Sequence, residues 1–138
     1  MKTTELLNLL KSKDSYKEII DNPRISFSNT TLAEYLSELI EVKKLKKTSI
    51  ISKSGLERSY AYQIFAGKKI PSREKLLVLA FGMKLTFDEV QQLLKVNGYA
   101  QLYPKNKRDS IIIFALYKDQ SILELNENLL AMGEMVII

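Results

Sequence analysis

The chain has 138 residues, of which 46% are hydrophobic and 27% are charged, and this composition is typical of a soluble globular domain with its own core. It contains no cysteine and no histidine, which excludes disulfides, thiolate metal sites and every catalytic arrangement that needs either residue. The net charge of +5 permits nucleic-acid binding without requiring it. No spacing of the remaining titratable residues suggests a catalytic, metal or cofactor site, so we expect a non-enzyme.

The amino-terminal region predicts short helices. Thr3 or Thr4 is suited to cap a helix through Leu10, a second short helix is predicted over residues 14–20, and residues 21–29 form a connector. Charges interrupt this region every few positions, so it lacks the apolar stretch of a signal peptide, and no segment of the chain has the length of a membrane span. We therefore expect a cytoplasmic protein.

Helical spacing of apolar residues continues after the connector. The next helix opens at Asn29, Thr30 or Thr31. Its apolar positions are Leu32, Tyr35, Leu36, Leu39, Ile40 and Val42. Two short helices follow, one ending before Gly55 and the other before Gly67.

Two helix pairs complete the chain. In the first pair, Ser72 caps one helix, Thr86 starts the other, and Gly98 ends it. The second pair covers about residues 107–118 and 121–132. No segment alternates as a strand would, so the sequence predicts an all-α protein.

The two helix pairs are related by an offset of 35 residues. Residues 73–81 align with residues 108–116, and Gly98 aligns with Gly133. The alignment indicates that the β-like run at residues 111–114 is helical, and that the second pair covers a face of the first. Chance similarity between amphipathic helices is the alternative.

Residues 46–67 have the features of a helix-turn-helix unit. Gly55 supplies a turn position that tolerates positive φ, and Leu56 fills the angle between the two helices. Ala61 and Ile64 fall on the buried side of the second helix. The residues mostly on its other side are Arg58, Ser59, Tyr62, Gln63 and Ala66.

This pattern resembles the phage-repressor/Cro (XRE-type) family of helix-turn-helix proteins over about residues 36–90. Besides the turn glycine and the apolar residue after it, the shared features are Ile64, Gly67-Lys68, Pro71-Ser72 and the run Leu76-Leu77-Val78-Leu79-Ala80. The resemblance implies a repressor-like helix-turn-helix bundle, extended here by the second, repeat-related helix pair. It also implies a sequence-specific transcriptional regulator that binds double-stranded DNA.

Five positions depart from the family pattern. Lys47 and Ile51 stand in the first helix where the family has Gln and a small Ala, so this helix should pack differently or cross at a wider angle. Tyr60, Tyr62 and Phe65 are unusual on a recognition helix. We expect Phe65 to belong to the core, while the tyrosines leave open a second function: a protein-interaction adaptor that does not bind DNA.

The residue types on the second helix suit the edges of bases in the major groove. Arg58 can donate two hydrogen bonds to guanine and Gln63 can bracket adenine, each worth roughly 1–3 kcal/mol of discrimination. The base-contacting residues are predicted to be Arg58, Ser59, Tyr62 and Gln63. The phosphate-contacting residues are predicted to be Lys47, Lys53, Lys68 and Lys69.

The sequence therefore divides into an N-terminal helical extension (1–30), a helix-turn-helix domain (31–103) and a C-terminal helix pair (104–138). Residues 31–72 are basic, whereas residues 119–138 contain four acidic residues and no basic one. Such regulators usually bind paired half-sites as homodimers, and we expect a repressor. The C-terminal pair is the first candidate for the dimer face, through Leu123, Leu125, Leu129, Leu130, Met132, Met135 and Val136-Ile137-Ile138. The N-terminal segment, with Leu6, Leu7, Leu10 and Ile19, is the second.

Overall fold

The structure is a computed structural model, and it describes residues 3–12 and 31–138. All regular secondary structure in these residues is α-helical, which confirms the predicted all-α class. Within the same residues, no helix is both long and apolar enough to cross a membrane. The chain forms two compact units, Met1–Thr30 and Thr31–Ile138.

The first unit contains helix α1, Thr3–Ser12, whose Leu7 and Leu10 are exposed. The predicted cap at Thr3 or Thr4 is wrong because both threonines lie inside the helix, which also continues past Leu10. The predicted helix at 14–20, the connector at 21–29 and the side chains of Leu6 and Ile19 lie outside the described residues.

The second unit follows the predicted order of helices. They are α2 (Leu32–Val42), α3 (Lys47–Ser54), α4 (Arg58–Phe65), α5 (Arg73–Gly82), α6 (Phe87–Val96), α7 (Lys107–Tyr117) and α8 (Ile122–Ala131). Thr31 is the cap of α2, and it forms a capping box with Glu34. Ser72 caps α5 by accepting a hydrogen bond from the Lys75 N–H, without a reciprocal acid. Local sequence signals thus determine where these helices begin.

One hydrophobic core joins the helix-turn-helix domain to both helix pairs. Its fully buried residues come from all parts of the unit and include Leu36, Ile50, Ile64, Leu77, Leu94, Ile112, Leu125 and Leu129. Helices α3 and α5 pack closely at Gly82, where an added Cβ would lie 2.7 Å from the Ile50 carbonyl oxygen and 2.8 Å from the Ser54 Cβ. The small residue at this crossing therefore belongs to α5, and Ile51 of α3 lies half-buried at the edge of the core.

The structure repeats its polar contacts at the offset seen in the sequence. The Gln91 side chain exchanges two hydrogen bonds with the backbone of Leu102, and Asn126 does the same with Ile137. The turns inside the two pairs each contain a residue in the left-handed region, at φ 55° and 53°. The sequence repeat is therefore also a repeat of local structure.

The two helix pairs pack reciprocally. The Arg73 guanidinium of the first pair contacts Asp109 of the second at 3.3 Å, and Arg108 of the second contacts Glu74 of the first at 2.6 Å. Since 73–74 and 108–109 are equivalent positions, each pair donates an arginine to the other's acid. Helix α5 likewise contacts α8, while α6 contacts α7. The arrangement is that of a pseudo-twofold dimer within one chain, not of successive repeats in a solenoid.

Candidate nucleic-acid interface

The turn between α3 and α4 has the geometry that the sequence predicts. Gly55 has φ 72°, and its N–H donates to the Ile51 carbonyl at 3.0 Å. Leu56 is buried between the helices. The buried hydroxyl of Ser54 donates to the Ile51 carbonyl and accepts from the Leu56 N–H, at 3.0 and 3.2 Å. Ser54 was missed from the sequence, although a Ser just before a turn glycine is a signal for such a local bond.

Helix α4 turns one face inwards. Ala61 and Ile64 are fully buried, as predicted, and the helix packs against α2. Glu57 precedes the helix and makes no side-chain capping bond. The N–H groups of the first turn of α4 thus donate no hydrogen bond to the Glu57 side chain.

The outward side of α4 carries a continuous line of cationic and aromatic groups. The Arg58 guanidinium lies over the Tyr62 ring, 5.6 Å from its centroid. Tyr62 meets Phe65 edge to face at 6.2 Å, and the Lys47 ammonium lies 5.6 Å from the Phe65 centroid. Each of the two rings thus contacts one of the two cations at the ends of the line. We call Lys47, Phe65, Tyr62 and Arg58 the α4 stack.

The aromatic residues of α4 divide between core and surface. Phe65 and Tyr60 are half-buried and pack against the edge of the core. The core position predicted for Phe65 is therefore only partly realised, because one face of its ring meets Lys47. Tyr62 is half-buried but does not pack against the core residues. Its ring instead lies between Arg58 and Phe65, on the outside of the helix.

The remaining predicted base-contacting residues follow a second line along α4. Ser59 is exposed, and Gln63, one turn later, is half-buried. The Gln63 carbonyl accepts hydrogen bonds from the N–H groups of Lys68 and Lys69 at 2.9 and 3.2 Å. These two hydrogen bonds hold Lys68 and Lys69 next to the C-terminal end of α4. Both are exposed.

The predicted phosphate-contacting lysines lie in two places. Lys47 is exposed at the start of α3 and next to α4, and Lys68 and Lys69 follow the end of α4. Lys53 instead lines a groove of about 320 Å³ with Lys84 and residues of the second helix pair. Lys47 contacts Phe65 at one end of the α4 stack and Arg58 contacts Tyr62 at the other end, whereas Lys53 lies next to a different groove.

Ile70 is a further surface feature that the sequence did not single out. Its side chain is 81% exposed just after the two lysines, although the neighbouring Pro71 is buried. The helical spacing of apolar residues could not identify Ile70, because this residue lies between two helices. An apolar side chain in this position can contact a thymine methyl or a partner protein.

The described residues contain no cluster of three or more acidic, cysteine or histidine side chains that could hold a metal ion. Comparisons with protein-family models, with curated proteins and with solved structures each found no match to the chain. The resemblance to the repressor family therefore depends on the sequence features described above.

Proposed function

We propose that the chain is a sequence-specific DNA-binding regulator that inserts α4 into the major groove. One observation carries the proposal: the exposed Arg58 at the first position of α4, supported by Tyr62 and followed by exposed lysines at the end of the helix. The amino-terminal part of a recognition helix is the part that meets base edges, and Arg is the residue that most often contacts guanine.

We assign the proposed base and phosphate contacts according to which side chains are exposed on or beside α4. Arg58 and Ser59 contact bases, Tyr62 holds Arg58 and contacts a base or phosphate, and Gln63 contacts a base one turn later. The phosphate contacts come from Lys47, Lys68 and Lys69, which are exposed beside or just after α4. Lys53 has a weaker case because it lines a different groove.

The proposal includes a homodimer, because one helix-turn-helix buries little DNA surface and paired half-sites multiply both affinity and specificity. Repression would follow from occlusion of a promoter by the bound dimer, without catalysis or a cofactor. The resemblance to phage repressors implies a bacterial or phage regulator, whose DNA lies in the bacterial cytoplasm, so the proposed location is the cytoplasm.

A titration of fluorescent genomic DNA fragments at two salt concentrations tests this proposal. The affinity should fall steeply with salt because phosphate contacts release counterions. Arg58→Ala should weaken binding by about tenfold or more. Lys105→Ala removes the same charge from an exposed position before α7 and is the matched control. Absence of binding at low salt, or an equal effect of the two variants, would overturn the proposal.

A protein-interaction adaptor is the second candidate, and the aromatic pair on α4 favours it. Tyr62 and Phe65 form an edge-to-face pair at the surface, and aromatic residues are enriched at protein interfaces. In that case the chain would not bind DNA, and Tyr62→Ala would release a stable protein partner. The DNA titration separates the two candidates.

A further inference from the structure

The two helix pairs have equivalent local structure, but equivalent faces of the two pairs differ in burial. In the first pair, Leu76, Leu79 and Leu93 are fully buried in the core shared with the helix-turn-helix domain. Their equivalents at the 35-residue offset are Ile111, Phe114 and Asn128. Ile111 is half-buried, Phe114 is 52% exposed, and Asn128 is exposed. The face that packs against the helix-turn-helix domain in the first pair is therefore largely exposed in the second pair.

This open face forms a groove between α7 and α8 with a volume of about 450 Å³. It is lined by Ser110, Ile111, Phe114, Asn128, Ala131 and Met132, and we call it the outer groove. Met132 is 54% exposed, and the Lys118 ammonium lies 5.7 Å from the Phe114 ring centroid. The groove thus combines exposed apolar groups with an adjacent cation.

Charges on the two sides of the outer groove are opposite. Along α7 the groove residues lie on one stripe with Lys107 and Lys118 at its ends, and both lysines are exposed. Along α8 the groove residues share a stripe with Glu124 and Glu127, which are also exposed. Within the protomer, Lys107 donates to the Met132 carbonyl at 2.8 Å and lies 4.0 Å from Glu134, so this lysine already has partners in its own chain. Because the α7 side is basic and the α8 side is acidic, the lysine side of one copy complements the glutamate side of another.

We propose that a second copy of this chain occupies the outer groove, in a twofold arrangement that sets α7 of each protomer against α8 of its partner. The twofold symmetry uses the same patch on both copies, and it brings each lysine stripe onto a glutamate stripe. The Phe114 side chains lie at the centre of the interface and the charges form its rim. The proposal deepens the proposed function by naming the dimer surface, and its test requires no DNA.

Sedimentation velocity over a concentration series of the full chain tests this surface. The wild type should form dimers, and Phe114→Glu should raise the dissociation constant by at least about thirtyfold because a charge replaces a central apolar group. Val42→Glu is the matched control, since Val42 is 79% exposed on α2, and its dimer should be unchanged. A wild type that stays monomeric throughout, or a Phe114→Glu dimer as stable as the wild type, would overturn the proposal.

Two charge variants test the twofold pairing separately from folding. Lys118→Glu puts an acid on the α7 side, which faces the glutamates of the partner's α8, and Glu127→Lys puts a base on the α8 side, which faces the lysines of the partner's α7. Each variant alone should therefore dimerise more weakly than the wild type. An equimolar mixture should form heterodimers, because each side then meets its opposite charge. No gain on mixing would overturn the pairing of α7 with α8. A dimer without DNA affinity would leave this proposal standing and contradict only the proposed function.

Discussion

At the scale of single residues, a series of side-chain contacts on α4 connects the core to Arg58 at the surface. Phe65 packs against the edge of the core, the Tyr62 ring contacts Phe65, and the Arg58 guanidinium contacts the Tyr62 ring. The Arg58 guanidinium therefore has fewer conformations to lose in the base contact that we propose for it. This support was not visible in the sequence, which predicted Tyr62 as a base-contacting residue and Phe65 as a core residue but not the contact between them.

Two substitutions of Tyr62 distinguish the role of its ring from the role of its hydroxyl group. Tyr62→Phe should keep DNA affinity within about twofold of the wild type, because the ring still lies under Arg58. Tyr62→Ala should lose about fivefold, the size of an exposed cation–π contact together with some lost order. Fluorescence anisotropy on the same DNA measures both. Equal losses in the two variants would show that the hydroxyl, not the ring, makes the contact.

At the scale of elements, the crossing of α3 and α5 fixes the helix-turn-helix to the rest of the unit. Gly82→Ala should destabilise the protein by about 1–3 kcal/mol, because the new Cβ would meet backbone of α3. Gly55→Ala is the comparison: no atom lies within 4 Å of its added Cβ, so only the positive φ opposes it, at about 1 kcal/mol. Urea unfolding measures both. A smaller loss at Gly82 than at Gly55 would contradict the close packing.

The start of α6 is tied to the end of α2 by an ion pair. Lys43 and Glu89 are 2.6 Å apart, and Glu89 also closes the capping box with Thr86. Burial raises the pKa of Glu89, but hydrogen bonds from Lys43 and Thr86 outweigh it and leave the pKa below its ordinary value. The carboxylate therefore stabilises the fold above the ordinary pKa of 4.5, and this contribution is lost as the pH falls through the lowered pKa.

Glu89→Gln tests this pH dependence, because Gln can keep the capping box but not the charge. The variant should be less stable than the wild type by about 0.5–1 kcal/mol at neutral pH. The difference should shrink as the pH falls from the ordinary carboxylate pKa through the lowered pKa of Glu89, below which the folded wild type is also neutral. Urea unfolding at a series of pH values measures it. A difference that stays constant in acid would mean that the charge of Glu89 does not matter.

Most elements could be predicted because their signals are local. Thr31, Ser72 and Thr86 begin helices as expected, and Gly55 forms the turn. The contacts between elements could not be predicted in the same way. Gly82 follows a run of apolar residues and looks like the end of a helix, and only the packed structure shows that α3 needs its small size.

At the scale of the whole molecule, the helix-turn-helix and the second helix pair share one core. The repeat predicted that the pairs would pack, but it did not specify which acid each arginine would bind. The structure pairs Arg73 with Asp109 and Arg108 with Glu74, and the hydrogen bonds to Glu74 raise the pKa of Arg108. This exchange ties the second pair to the first at two equivalent points.

A shared core predicts one cooperative unfolding unit. Ile112→Ala removes a fully buried side chain from α7 and should cost about 2–5 kcal/mol. Hydrogen exchange should then show that amides of α3 and α4 lose protection together with those of α7. Protection that falls in α7 and α8 but stays unchanged in α4 would show that the second pair opens independently of the helix-turn-helix.

The central claim is that α4 contacts base edges, and selection of bound sites from a random double-stranded DNA library tests it most directly. The wild type should enrich a motif with two inverted half-sites, each containing a guanine. Arg58→Ala, carried through the same selection, should lose the preference for that guanine and keep the rest of the motif. No enriched motif with the wild type, or an identical motif with Arg58→Ala, would contradict the claim.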